Sequence, residues 1–274
     1  MNKKVVFLDL DGTLLLRDGT MPDSAREALR QAQENGHEMV VCTGRSASQI
    51  GPVLGPDMDL FGGIVMSAGA NVRRGGETVW RGAMSPEKTK ELVDYFRAND
   101  ITYFLQAETG IYAEPESVDR FRAAFTALGY APEQMEEIFG DTILIAHPED
   151  TPHIEKCCYF ECKLDAEQMQ EELGDYFYVV DSSYKLTRFC DGEISKAGVT
   201  KAFGMEQYLK AAGVPHEDSI AFGDGPNDLE MLQYARIGVC MGNGTDRMKA
   251  VADRVCGRID EDGLYHEFKA LGLI

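Results

Sequence analysis

The sequence predicts an α/β protein, with a parallel-sheet core built from two separated chain segments and an α+β domain inserted between them. Three observations carry this reading. Short apolar runs alternate with helical patterns over residues 5–66 and again over residues 196–271. Such alternation demands parallel strands joined by right-handed crossovers. The stretch between them is instead rich in strands, and a polar cluster follows three of the core's apolar runs.

The elements follow in order. Val5–Leu10 reads as a buried strand, because its apolar run Val5–Leu8 suits a strand covered on both faces. Pro22-Asp23-Ser24 opens a helical pattern that runs to Asn35-Gly36, where glycine can close it. Glu38–Cys42 is a second strand, ending in Thr43-Gly44-Arg45. Ser46 is placed to cap the next helix, and Gly63–Met66 supplies a third strand. Asn71–Arg81 resembles a hairpin around Arg74-Gly75-Gly76.

From there the pattern changes. Ser85-Pro86-Glu87 starts a helix to about Ala98, with a cap, a first-turn proline and an acid at the N-terminus. Strands are expected near Ile101–Gln106, Ile111–Ala113, Ile143–Ala146, Cys157–Cys162, Tyr176–Val180 and Tyr184–Arg188. Helices are expected near Pro115–Leu128 and Ala166–Leu173. Alternation then resumes with a helix from Lys196 to Ala212, a strand at Asp218–Phe222 and a helix through Tyr234. A strand at Ile237–Met241 and helices at Thr245–Ala252 and Glu261–Leu271 complete it. The resulting division is a core of residues 1–82 and 188–274 and an inserted domain of residues 83–187.

A chain of 274 residues can bury a substantial core, and 44% apolar with 27% charged residues is the balance of a water-soluble globular protein. A net charge of −19 argues against nucleic acid and anionic membranes as partners, since both require clustered Lys and Arg. No apolar stretch approaches the roughly 20 residues of a membrane span. The first apolar run meets Asp9 too early for a signal peptide. Seven cysteines without a regular framework suit reduced thiols, so a cytoplasmic location is expected. Cys157, Cys158 and Cys162 match no zinc spacing and read as strand residues.

The chemistry begins at Asp9-Leu10-Asp11-Gly12-Thr13. Two carboxylates at spacing two, just past a strand end, can lean into one space. They would raise each other's pKa unless a cation shares the site. A hard-metal site with one carboxylate left for chemistry is one reading; solvated acids in an ordinary strand–turn are the other. A calcium loop is excluded, because the places of its third Asp/Asn, its glycine and its final Glu hold Thr13, Leu14 and Thr20. Asp9/Asp11, Thr43/Gly44 and Asp224/Asn227/Asp228 each fall beyond a strand's C-terminal end, where parallel sheets bind ligands. Three such clusters on one edge are far more specific than any one.

Taken together, these motifs resemble the haloacid dehalogenase-like hydrolases, in particular the Cof-type phosphatases with a large inserted α/β cap. The similarity covers essentially the whole chain. It rests on Asp9–Leu14, Thr43-Gly44-Arg45, Asp191–Lys196, Gly223–Leu232, Met241–Gly244 and Glu261-Asp262-Gly263. One departure is Ala68-Gly69-Ala70, where the family often has Asn-Gly-Ala.

The resemblance implies a Rossmann-like core whose nucleophile is Asp9, forming an aspartyl-phosphate intermediate. Asp11 would be the acid that protonates the leaving group and the base that then activates water. Mg is implied as cofactor, held by the Asp9 carboxylate, the Asp11 carbonyl and the Asp224 carboxylate, with Asp228 orienting this shell. Phosphoryl oxygens would meet Lys196, the Thr43 hydroxyl, the Leu10 and Gly44 amides and the Asn227 side chain. A lysine at a helix N-terminus opposes the helix dipole, which favours a functional reason for Lys196. Arg45 reads as the partner of a nearby acid.

The expected function is a Mg-dependent phosphatase of small phosphorylated metabolites such as sugar phosphates, with no nucleic acid, membrane or obligate protein partner. A phosphosugar mutase is the rival enzyme, but the compact Gly223–Asp228 block favours hydrolysis. A non-enzymatic phospho-ligand sensor is the rival binding protein. The insert is expected to be a lid that carries specificity.

Overall fold

A computed structural model describes residues 3–127, 129, 131, 140–181 and 190–274. The described chain divides into two compact units. One comprises the residues up to Arg45, Gln49–Arg81 and Val199–Ile274; the other comprises Gly82–Gly198 together with Ser46–Ser48.

The first unit is built on an eight-stranded sheet. Its strands in chain order are β1 (Val5–Leu8), β2 (Glu38–Cys42), β3 (Gly63–Met66), β4 (Asn71–Arg74), β5 (Glu77–Arg81), β12 (Ser219–Gly223), β13 (Ile237–Cys240) and β14 (Arg254–Val255). The spatial order is β14-β13-β12-β1-β2-β3-β4-β5. The six strands from β14 to β3 are parallel, and the β4–β5 hairpin continues the sheet in antiparallel fashion. β1 is therefore central, with Leu8 opposite Phe222 on one side and Val41 on the other. Its four residues are wholly buried, as expected of a strand covered on both faces. On one face Val5, Phe7, Val40, Val65 and Ala221 pack against Met205, Tyr208 and Leu209 of the Lys201–Ala212 helix. Each fully buried aliphatic or aromatic side chain of this kind contributes about 1.5–3 kcal/mol of transfer free energy.

The second unit holds β6 (Thr102–Ala107), β7 (Gly110–Ala113), β8 (Thr142–Leu144), β9 (Lys156–Cys162), β10 (Phe177–Asp181) and β11 (Cys190–Lys196). Their order is β10-β11-β9-β6-β7-β8, antiparallel except for the β7–β8 pair. Leu92, Val93 and Phe96 of the Pro86–Ala98 helix and Met169 of the Ala166–Leu173 helix cover one face, over Tyr103, Leu105, Tyr159 and Ile194. Phe121 and Phe125 of the Pro115–Ala127 helix pack against Phe104, and Phe160 joins them from β9. Local signals start these helices as expected: Ser85 Oγ accepts the Lys88 N–H at 3.3 Å, and Asp165 with Gln168 forms a capping box.

Two expectations change. The boundary drawn at residue 187 moves to Gly198, because Cys190–Lys196 is β11, a strand lying between β9 and β10 in the second unit's sheet. No strand is expected from sequence over Cys190–Lys196, because Asp, Gly and Glu at 191–193 are disfavoured in strands. The helix expected from Lys196 begins instead at Lys201, where the Thr200 hydroxyl accepts the Phe203 N–H. The strand expected at Tyr184–Arg188 lies outside the described residues. The six cysteines whose side chains are described are free thiols. No helix among the described residues is long and apolar enough to cross a membrane.

Candidate active site

The site forms where β1, β2 and β12 end side by side. Asp9 follows β1, and its N–H donates to the Phe222 carbonyl at 3.0 Å, so the nucleophile candidate is still held as strand backbone. The chain then turns sharply: the Thr13, Leu14 and Leu15 N–H groups all converge on the Leu10 carbonyl. Gly12 makes this possible. Its φ of +85° favours glycine, and a Cβ there would lie 2.8 Å from Asp224 Cγ and closer still to Oδ2. The absence of a side chain at residue 12 thus lets the first loop and the Asp224 loop meet. Asn243 ties them further, donating to the Gly12 carbonyl at 2.7 Å and to Asp224 Oδ2 at 3.3 Å, while its Oδ1 accepts the Ile259 N–H.

Lys201 lies at the centre. It is 1% exposed, and its Nζ stands 2.6 Å from Asp9 Oδ1 and 2.5 Å from Asp228 Oδ1. Asp228 is saturated: its Oδ2 also accepts the N–H groups of Asp224 and Gly225, each at 3.0 Å. It therefore anchors both the lysine and the Asp224 loop. Thr13 Oγ1 donates to Asp224 Oδ1 at 3.4 Å. Asp11 points elsewhere, to Arg45, whose Nε and an Nη atom grip its two oxygens at 2.8 and 2.7 Å. Such a paired fork is the strong form of carboxylate recognition.

Charge is unbalanced here. Burial, followed by the neighbouring Asp228, pushes the Asp9 carboxyl well above the ordinary aspartate value, with Lys201 working against both. Burial and then Asp228 push Asp224 up to about 6. Burial alone would pull the Lys201 ammonium down, but Asp228 and Asp9 together outweigh it and hold its pKa well above the ordinary lysine value. Among the described residues, Lys201 is the cation paired within this group of three carboxylates, bonding Asp9 and Asp228 but not Asp224. The three can each bring an oxygen within 4.8 Å of the others. All-oxygen donors with an unmet demand for positive charge fit a hard divalent cation, and Mg belongs to that class.

Of the residues expected from sequence, Asp9, Asp224 and Asp228 come together directly. Thr43 is buried at the end of β2 beside Gly44, its Oγ1 accepting the Arg45 N–H at 3.1 Å. Leu10 is buried in the first loop, and Asn227 stands in the Pro226–Asp228 turn. Lys196 is not the lysine on Asp9: it lies at the end of β11, opposite Phe177. Sequence reasoning missed Lys201, and a signal for it existed. Thr200-Lys201 is a cap followed by a lysine at the first helical position, the same dipole conflict that drew attention to Lys196. Arg45, set aside as the partner of an acid, pairs with Asp11.

The buried carboxylate–ammonium cluster lies at the C-terminal edge of a parallel sheet, where α/β enzymes bind their ligands. The comparisons narrow this. The haloacid dehalogenase-like hydrolase family matches residues 6–268, and the chain belongs to it. It is 30% identical over 270 residues to the 5-amino-6-(5-phospho-D-ribitylamino)uracil phosphatase YitU of Bacillus subtilis, covering 95% of this chain and 94% of that protein. Pyridoxal phosphate phosphatase YbhA of Escherichia coli is 26% identical over 278 residues, covering 96% and 97%. Among solved structures, the HAD subclass IIB sugar phosphatase BT4131 is similar with a TM-score of 0.80 at 25% identity, covering 99% of this chain and 100% of that one. The protein is accordingly an enzyme of the phosphatase class, of the Cof type.

Proposed function

We propose that this protein hydrolyses phosphomonoesters of small metabolites through a phosphoaspartate on Asp9. The observation that carries the reading is the Lys201 bridge between Asp9 and Asp228. It fixes a carboxylate oxygen and places a permanent positive charge beside it, where the negative charge of an incoming phosphoryl group would otherwise be repelled. Asp9 attacks phosphorus through a carboxylate oxygen while the ester oxygen departs. Asp11 delivers a proton to that oxygen and then takes one from the water that cleaves the acyl phosphate. For this, one of its two bonds to Arg45 must be released.

The Asp9 and Asp224 carboxylates and the Asp11 carbonyl are the groups that would hold Mg, with Asp228 orienting Asp224 through its backbone. The ion would supply charge compensation for the phosphoryl oxygens. Thr43, the Leu10 and Gly44 amides, Asn227 and Lys201 are the proposed phosphoryl contacts, with Lys201 taking the place expected for Lys196. The relatives act, by their names, on a ribitylamino-uracil phosphate, pyridoxal phosphate and sugar phosphates. This supports a small phosphorylated metabolite as substrate here.

The test is a panel of such esters with Mg, run on wild type and Asp9→Asn. Removing the nucleophile should lower turnover by at least about 10²-fold. Acid-quenched wild type should hold label from a phosphate-labelled substrate, and the variant should hold none. Residual turnover above about one per cent, or label retained by the variant, would remove Asp9 from the nucleophile role.

A further inference from the structure

After β3 the chain turns through three consecutive residues in the left-handed region: Ser67 at φ 48°, Ala68 at φ 54° and Gly69 at φ 103°. Two of them carry side chains, for which this conformation is disfavoured. Such a run persists only where its surroundings over-determine it. Ser67 and Gly69 are buried, and the turn is held from two sides.

On the first side, the Ala68 N–H donates to the Thr43 carbonyl at 3.0 Å and the Ser67 N–H to the Arg45 carbonyl at 2.9 Å. On the second, Gly69 lies against the start of the Lys201–Ala212 helix. A Cβ on Gly69 would stand 2.6 Å from the Thr200 carbonyl carbon and closer still to its oxygen. One turn further along that helix, a Cβ on Gly204 would come within 3.0 Å of the Gly69 Cα. Both close approaches are therefore made by residues without side chains.

Thr200 is the helix cap and Lys201 its first residue. The same turn thus touches the loop that carries Thr43 and Arg45 and the backbone that carries Lys201. A right-handed conformation would redirect the Ser67 and Ala68 amides away from both loop carbonyls. We propose that Ser67–Gly69 is a strained brace of positioning residues, which sets Thr43, Arg45 and Lys201 relative to Asp9 without touching substrate. The proposal rests on the phosphatase reading for its kinetic arm only.

Gly69→Ala is the direct test. Its added methyl should push the Thr200 carbonyl and displace Lys201. In a crystal structure the Lys201 Nζ should leave Asp9 Oδ1, and kcat for p-nitrophenyl phosphate with Mg should fall by about 10–10²-fold. The inhibition constant for inorganic phosphate should rise with it. Ala68→Gly and Ala68→Asn, which suit the left-handed region, should raise Tm and keep kcat within about twofold. Ala68→Val, which does not suit it, should lower kcat at temperatures well below its own Tm. That variant decides the matter by the same readouts if Gly69→Ala does not fold.

Lys201 remaining at its wild-type distance from Asp9, or a lowered Tm with wild-type kcat and phosphate inhibition, would overturn the brace. Wild type inactive on every ester would instead refute the phosphatase reading, and the crystallographic arm would still judge the brace.

Discussion

Lys201 bridges two buried carboxylates, with Asp224 as a third acid in the same group, and much of the site's behaviour follows from that arrangement. Lys201→Met would leave Asp9 and Asp228 buried without their shared partner, and breaking a buried ion pair costs about 3–5 kcal/mol. The loss should be largest at pH 8 and smaller at pH 5, because burial already raises the Asp9 carboxyl's hold on a proton that can replace the ammonium there. Urea unfolding at both values, with EDTA present, measures it. Turnover should fall by at least about 10²-fold, because the fixed charge proposed to face the phosphoryl group is removed. Lys196→Met should leave hydrolysis of p-nitrophenyl phosphate within about threefold, since that side chain is on β11.

Asp224 makes the complementary case. Its pKa rises on folding from 3.8 to about 6, so the folded state holds this proton more tightly than the unfolded chain does. The stability tied to that proton is present below about 4 and is lost as pH climbs through about 6. In metal-free protein, Asp224→Asn should therefore raise Tm at pH 8 and flatten the fall of Tm between those values. Parallel pH curves for the two proteins would refute this. The carboxylates were legible in the sequence because each sits in a local string at a strand end. Lys201 carried only a helix-start signal of the kind that also marked Lys196, because its contact with Asp9 joins residues 192 positions apart.

At the scale of elements, the first loop and the Asp224 loop meet only because residue 12 has no side chain. Gly12→Ala would put a methyl into the Asp224 carboxylate and force alanine to a φ of +85°. Mg affinity measured by titration calorimetry should fall by at least about tenfold, in step with the Mg needed for half-maximal activity. Wild-type Mg affinity would show that the Asp224 carboxylate has no metal role, or that its loop moves without cost. Period and length identified β1, β2, β3 and β12, since wholly buried runs between helical patterns admit little else. β11 was missed for a physical reason: Asp191-Gly192-Glu193 breaks its apolar pattern with residue types disfavoured in strands, although Ile194 is as deeply buried as any core residue.

Taken whole, the molecule holds two units with separate apolar cores, and one of them is almost a single stretch of chain. Residues 82–198 expressed alone should fold, with a cooperative melt and a near-UV circular dichroism spectrum of packed aromatics, because their own helices cover both sheet faces. Residues 83–187 should not. That shorter piece lacks β11, the strand pairing with both β9 and β10, so β10 would lose its place in the sheet. A cooperative melt from the shorter fragment would refute this account of the boundary.

The position of β1 between β2 and β12 also has a consequence for biosynthesis. β2 emerges from the ribosome soon after β1, but Val5 waits for Ser219 before its other edge is satisfied. Throughout that interval an entirely apolar strand presents unpaired amides and carbonyls, an invitation to other nascent chains. Residues 82–198 emerge within the same interval and can collapse on their own account. A ribosome stalled before residue 219 should thus carry a folded second unit beside a protease-sensitive first strand. Release should protect that strand only once β12 is available to dock.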